Sequence, residues 1–124
     1  MDHNKKLTAW MPPAIWALVI LIFTVIPGDS FPITAPGHLD KPVHFLVYAI
    51  FAVLLARGIG RTPGLFTDLG SFLFILILGG GYGILMELVQ WSIPGRQPSI
   101  TDALANVAGI IVGIALGRKM IWRK

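Results

Sequence analysis

Glu87 and Gln90 carry the densest chemistry in this chain, within the stretch Met86-Glu87-Leu88-Val89-Gln90-Trp91-Ser92-Ile93-Pro94-Gly95-Arg96. Their spacing puts both on one face of a helix. A carboxylate inside an apolar run is costly unless it is paired, hydrated or protonated. His44, Asp102 and Asn106 could meet it, each near one end of an apolar segment. An imidazole beside carboxylates can move a proton, so His44, Glu87 and Asp102 are the candidate catalytic acid–base groups. Arg96 suits a bidentate grip on a phosphate or carboxylate, and Lys41 adds a second positive charge. Lys41, His44, Tyr48, Glu87, Gln90, Arg96, Asp102 and Asn106 together form the candidate ligand-binding set.

Each residue also has a purely structural reading. Glu87 could pair with Arg96 or Lys41, or bond to Gln90 or Asn106, and so hold two helices together. Asp40 and Asp102 fall where helix N-caps are expected, although Ser99 or Thr101 could cap in place of Asp102. Arg96 and Lys41 could snorkel or pair with Asp102 or Asp40. Asn106 reads as an interhelical hydrogen-bonding residue, and Tyr48 and Trp91 as interfacial aromatics. His44, Glu87 and Asp102 could also ligate a metal. No His-x-x-x-His or Glu-x-x-His spacing supports one, so neither a metal nor another cofactor is expected. No Gly-x-Ser-x-Gly nucleophile motif is present. The glycines at 79–83 lack the Gly-Lys-Ser/Thr ending of a P-loop.

The elements that must position these groups are apolar. Of 124 residues 55% are hydrophobic and 13% charged, against about 25% charged in soluble domains. That balance and several long apolar runs indicate an all-α integral membrane four-helix bundle in a single domain. Helices are expected at about 11–26, 40–57, 69–93 and 100–118. Pro12-Pro13 fits the first turn of helix one, and Asp40 with Pro42 fits the start of helix two. Helix one reads as an uncleaved span, since no small-x-small cleavage site follows Ile26. The Pro- and Gly-rich segment 27–40 forms a loop, where Phe31 and Ile33 could dip to the membrane surface. Ser99-Ile100-Thr101-Asp102 fits a capping box with Asp in place of Glu. Gly79-Gly80-Gly81 and Gly83 allow close helix approach or a kink. Gly109, Gly113 and Gly117 line one helix face, which could pair a second copy of the chain.

The net charge is +4 and cysteine is absent, so disulfides and thiolate chemistry are excluded. The basic residues follow a membrane pattern, and no nucleic-acid partner is expected. Four spans put Lys5, Lys6, Arg57, Arg61, Arg118, Lys119, Arg123 and Lys124 on one side, with Lys41 and Arg96 on the other. The positive-inside rule then sets both termini in the cytoplasm, with Trp122 as an interfacial anchor. The polar groups all fall within roughly 10 Å of the outer surface at 1.5 Å per residue. One outward-opening polar pocket is expected.

Asp40-Lys41-Pro42-Val43-His44-Phe45 with Tyr48, Glu87-Leu88-Val89-Gln90, Pro94-Gly95-Arg96 with Ser99 and Asp102, and Asn106 with Gly109 and Gly113 closely resemble the VanZ-like family. The matching blocks run in order from about residue 40 to 117; the first helix and the loop at 27–40 match only in type. The family's founding member is associated with low-level resistance to the glycopeptide teicoplanin, and many members lie outside any resistance cluster. The resemblance therefore implies a multi-pass protein of the bacterial cytoplasmic (inner) membrane without assigning a reaction. Its expected partner is an anionic amphipathic ligand, either a membrane lipid or lipid-linked cell-wall precursor, or a glycopeptide antibiotic. Two alternatives stay open. One is an intramembrane enzyme acting on a lipid or glycan with His44 and Glu87 as acid and base. The other is a structural or transport-related module.

Overall fold

The computed structural model describes residues 2–27, 40–97 and 99–121. Most of the loop expected at 27–40, including Phe31 and Ile33, lies outside the described residues, as do Trp122, Arg123, Lys124 and the side chain of Asp40. The described residues form four helices and no strand: α1 (His3–Val25), α2 (Asp40–Gly60), α3 (Asp68–Gln90) and α4 (Ile100–Ile121). All four are long and apolar enough to cross a membrane, with mean hydropathies from 1.8 to 2.1. Large apolar side chains face outward along them, among them Ile77, Leu104 and Leu116, each over 60% exposed. An apolar exterior of this extent suits lipid and not water. The chain is an all-α, multi-pass membrane protein.

The helix ends differ from expectation for local reasons. α1 begins at His3, so Pro12 and Pro13 lie inside it. The amides of Lys5 and Lys6 already bond to Asp2 O at 3.0 and 3.2 Å, which starts the helix well before the prolines. α3 starts on a Thr67 cap, whose hydroxyl accepts from Gly70 N–H at 3.0 Å. It runs without a break through the glycines at 79–83 and stops at Gln90. Tight turns follow, with Ser92 N–H on Val89 O and Ile93 N–H on Gln90 O, each at 3.1 Å. Pro94-Gly95 then makes a β-turn: Gly95 has φ 75° and Arg96 N–H reaches Ile93 O at 3.2 Å. A positive φ after proline is the type II signature that favours glycine. α4 opens on a Ser99 cap, whose hydroxyl accepts Asp102 N–H at 3.1 Å.

α2 and α4 run parallel in the closest packing of the bundle. Gly109 lies against the backbone of Phe45 and Ala49, Gly113 against Ala49 and Ala52, and Gly117 against Ala56. The glycine face expected to pair a second copy is thus used inside the chain, between its own helices. Sequence spacing marks such a face but not which helix covers it. α3 packs on α4 through Gly79 beside Ile110, and on both partners through Gly83 beside Tyr48 and Asn106. α1 packs on α2 and α3, and among the described residues its backbone does not come close to that of α4. Polar ties fasten it. Trp10 Nε1 donates to Thr62 Oγ1 at 3.2 Å, Trp16 Nε1 to Val47 O at 3.0 Å, and Tyr82 OH to Ala17 O at 2.6 Å.

Candidate functional site

The polar residues gather at the end of the bundle opposite the start of α1 and the end of α4. His44 stands one turn into α2, and Glu87 one turn before the end of α3. Asp102 and Asn106 occupy the first two turns of α4. Because Ser99 caps α4, the Asp102 carboxylate is released to turn inward, where the residue is only 4% exposed. The start of α4 is held close to α2 by the glycine seam below it, which brings Asn106 to His44.

His44 joins three helices. Its Nδ1–H donates to Asn106 Oδ1 at 2.9 Å, and Glu87 Oε1 lies 3.7 Å from the same nitrogen. Lys41 Nζ stands 3.7 Å from Asp102 Oδ1, with half of the lysine side chain exposed. Glu87, Gln90, Asp102 and Asn106 are all buried. Both pairings are among those expected: Glu87 meets His44, and Lys41 meets Asp102. The guanidinium of Arg96 crosses to α1, where Nε donates to Ile26 O at 3.0 Å and Nη2 to Phe23 O. These are carbonyls of the last turn of α1, the negative end of that helix, which favours a cation. The Pro94-Gly95 turn is what points Arg96 there.

A cavity of about 360 Å³ opens beside this cluster, between α1, α2 and α3. Its polar wall holds His44, Glu87, Gln90 and Arg96; Tyr48 and Met86 line it deeper in the bundle. Lys41, Asp102 and Asn106 do not line it; Asn106 holds the His44 ring from α4. Tyr48, expected as an interfacial aromatic, is buried at 3% exposure. Trp91, at the end of α3, is 74% exposed.

The other wall comes from α1, through Trp16, Val19, Ile20, Phe23 and Thr24. Sequence reasoning assigned no site residue to this helix. Trp16, Ile20, Phe23 and Thr24 fall at spacings of one helix face, and Thr24 is the one hydroxyl in an otherwise apolar run. That pattern was the available signal. The result is a cavity that is apolar along α1 and polar where His44, Glu87, Gln90 and Arg96 line it. Its shape and chemistry suit a molecule with a hydrocarbon part and a polar head.

A family model described as VanZ/LLP1 matches residues 5–123. No curated protein matches the chain, and no solved structure matches it.

Proposed function

The chain belongs to the VanZ-like family, and from that premise we propose that it binds an anionic amphipathic ligand from the outer leaflet of the cell membrane. The ligand class is a cell-envelope lipid, a lipid-linked glycan precursor, or the acyl-bearing part of a lipoglycopeptide such as teicoplanin. The observation that carries this reading is the two-sided cavity: an apolar α1 wall ending at His44, Glu87, Gln90 and Arg96. At about 360 Å³ it lies near the lower end of ligand pockets, which span about 300–1,000 Å³. It takes an acyl segment and part of a head group, so the peptide cup of a glycopeptide would remain outside. Retention of such ligands at the membrane surface would give a host tolerance to a lipoglycopeptide.

Arg96 would attract the anionic head. Its contacts with Phe23 and Ile26 hold the guanidinium in place, so little side-chain freedom is lost when an anion arrives. Lys41 would add a longer-range positive field at the same end. The positive-inside rule supports setting this end outward: the basic residues Lys5, Lys6, Arg57, Arg61, Arg118 and Lys119 all cluster at the opposite end.

The test is a titration of the purified protein with phosphatidylglycerol and phosphatidylcholine of equal chain length, followed by calorimetry. The anionic lipid should bind at least tenfold tighter. Val43→Trp, at the exposed part of the cavity wall, should abolish binding without unfolding the bundle. Equal affinity for both heads would remove the anion from the account, and undiminished binding by Val43→Trp would remove the cavity.

A further inference from the structure

The most concentrated chemistry of the bundle lies where α2, α3 and α4 meet. His44, Glu87 and Asp102 bring one ring nitrogen and two carboxylate oxygens within 4.8 Å of one another. Such nitrogen and oxygen donors hold divalent metals at about 2.0–2.2 Å, so about an ångström of side-chain movement would close them on an ion. No local spacing announces the set, because each ligand comes from a different helix.

Charge favours an occupant. Glu87 and Asp102 are 8% and 4% exposed, and both lie in membrane-spanning helices, where buried carboxylates are costly. Lys41, the basic partner of Asp102, remains half in solvent at 3.7 Å. A second, independent sign comes from Asn106. Its Oδ1 accepts from His44, the residue is 1% exposed, and its Nδ2 finds no hydrogen-bond partner among the described residues. Asp102 Oδ1 likewise accepts no hydrogen bond there. A buried donor, and a buried acceptor that meets Lys41 Nζ at 3.7 Å, beyond hydrogen-bond reach, thus both lack a hydrogen bond beside one imidazole, which native structures rarely tolerate. A water molecule could satisfy both hydrogen bonds but would leave the charge. A hydrated cation answers all three demands: it takes the Asp102 oxygen, adds positive charge beside a carboxylate whose lysine partner is half in solvent, and carries an oxygen that can accept from Asn106 Nδ2.

We propose that His44, Glu87 and Asp102 form a divalent metal site of the zinc type, with Asn106 as a positioning residue that fixes the His44 ring. An imidazole among carboxylates favours zinc over magnesium or calcium, which prefer oxygen alone. Because His44 Nδ1 donates to Asn106 Oδ1, Nε2 is the ring nitrogen that would ligate, and a hydrogen bond from the other nitrogen to a carbonyl oxygen is a common outer-shell device. His44 and Glu87 also line the cavity, so the ion would have an open side toward whatever enters it. The site stands apart from the identity of that ligand, since metal content is read without lipid.

The experiment uses tag-free protein in detergent, stripped with a chelator, exposed to zinc chloride, and dialysed before elemental analysis. Wild type and His3→Gln, a change at an exposed histidine, should each retain close to one zinc per chain. Asp102→Asn should retain less than a tenth of that, and Asn106→Ala should bind at least tenfold more weakly. Circular dichroism identifies folded variants, and Glu87→Gln supplies a second ligand change should Asp102→Asn not fold. Folded wild type without zinc would overturn the site. So would full zinc in both carboxylate variants, or zinc lost from His3→Gln and kept by Asp102→Asn.

Discussion

Replacing Gly113 with alanine should break the contact on which the polar cluster depends. The added methyl would stand 2.6 Å from Ala52 Cβ and closer still to the backbone oxygen of Ala49. Ordinary contact begins near 3.4 Å, so α2 and α4 must part by about an ångström, and helix backbone cannot rotate aside as a side chain can. Overpacking of this kind costs about 1–3 kcal/mol. Parting the helices also stretches the His44–Asn106 hydrogen bond, two turns along α4 and 2.9 Å long, past its useful range. Leaving those buried groups unsatisfied adds about 1–3 kcal/mol. Alanine returns about 1 kcal/mol through its better helix propensity. The net expectation is a loss of about 1–5 kcal/mol. Gly81→Ala is the matched control, because nothing lies within 4 Å of a Cβ there, and it should be neutral or stabilising by up to about 1 kcal/mol. Unfolding by dodecyl sulfate in mixed micelles, followed by circular dichroism, measures both. If Gly113→Ala matched Gly81→Ala within about 0.5 kcal/mol, a variation usual for surface changes, the account of the seam would be refuted.

Three further outcomes are expected. Arg96→Ala removes the donors to Phe23 and Ile26 and should destabilise the protein by about 1–3 kcal/mol, with faster amide exchange in the last turn of α1; unchanged exchange there would count against the tie. Tyr82→Phe deletes the hydroxyl on Ala17 O and should cost about 1 kcal/mol in the same unfolding assay; equal stability would show that α1 is held by other contacts. Membrane-impermeant thiol reagents on intact cells should label Ser99→Cys and spare Arg61→Cys, a clean comparison in a chain without cysteine; the reverse pattern would invert the orientation.

Much of the fold was legible because membrane helices announce themselves by length and apolarity. The polar residues stood out for the same reason, since each interrupts an apolar run near one end. What the sequence hid was pairing. Lys41, Glu87 and Arg96 each had several plausible partners, and only the turn at Pro94-Gly95 and the Ser99 cap decide among them. The Gly109, Gly113 and Gly117 face was visible, but its partner, α2, was not, because spacing is blind to what lies across an interface. By composition α1 reads as a plain span. Its contribution to the cavity rests on Trp16, Ile20, Phe23 and Thr24, apolar or nearly so and therefore inconspicuous in a lipid-facing helix. The start of α1 lies upstream of the expected one because Pro12-Pro13 looks like a beginning. Helical bonding upstream of the prolines, from Lys5 and Lys6 to Asp2, is a property of the backbone that composition does not reveal.

The central claim is that the cavity between α1, α2 and α3 holds an anionic amphiphile. Native mass spectrometry of the protein extracted from its own membrane tests this most directly. Wild type should carry one defined anionic lipid or glycolipid that survives removal of detergent, and Val43→Trp should lose it while keeping its helix content. A wild-type spectrum without any defined adduct, or the same adduct on both proteins, would contradict the claim.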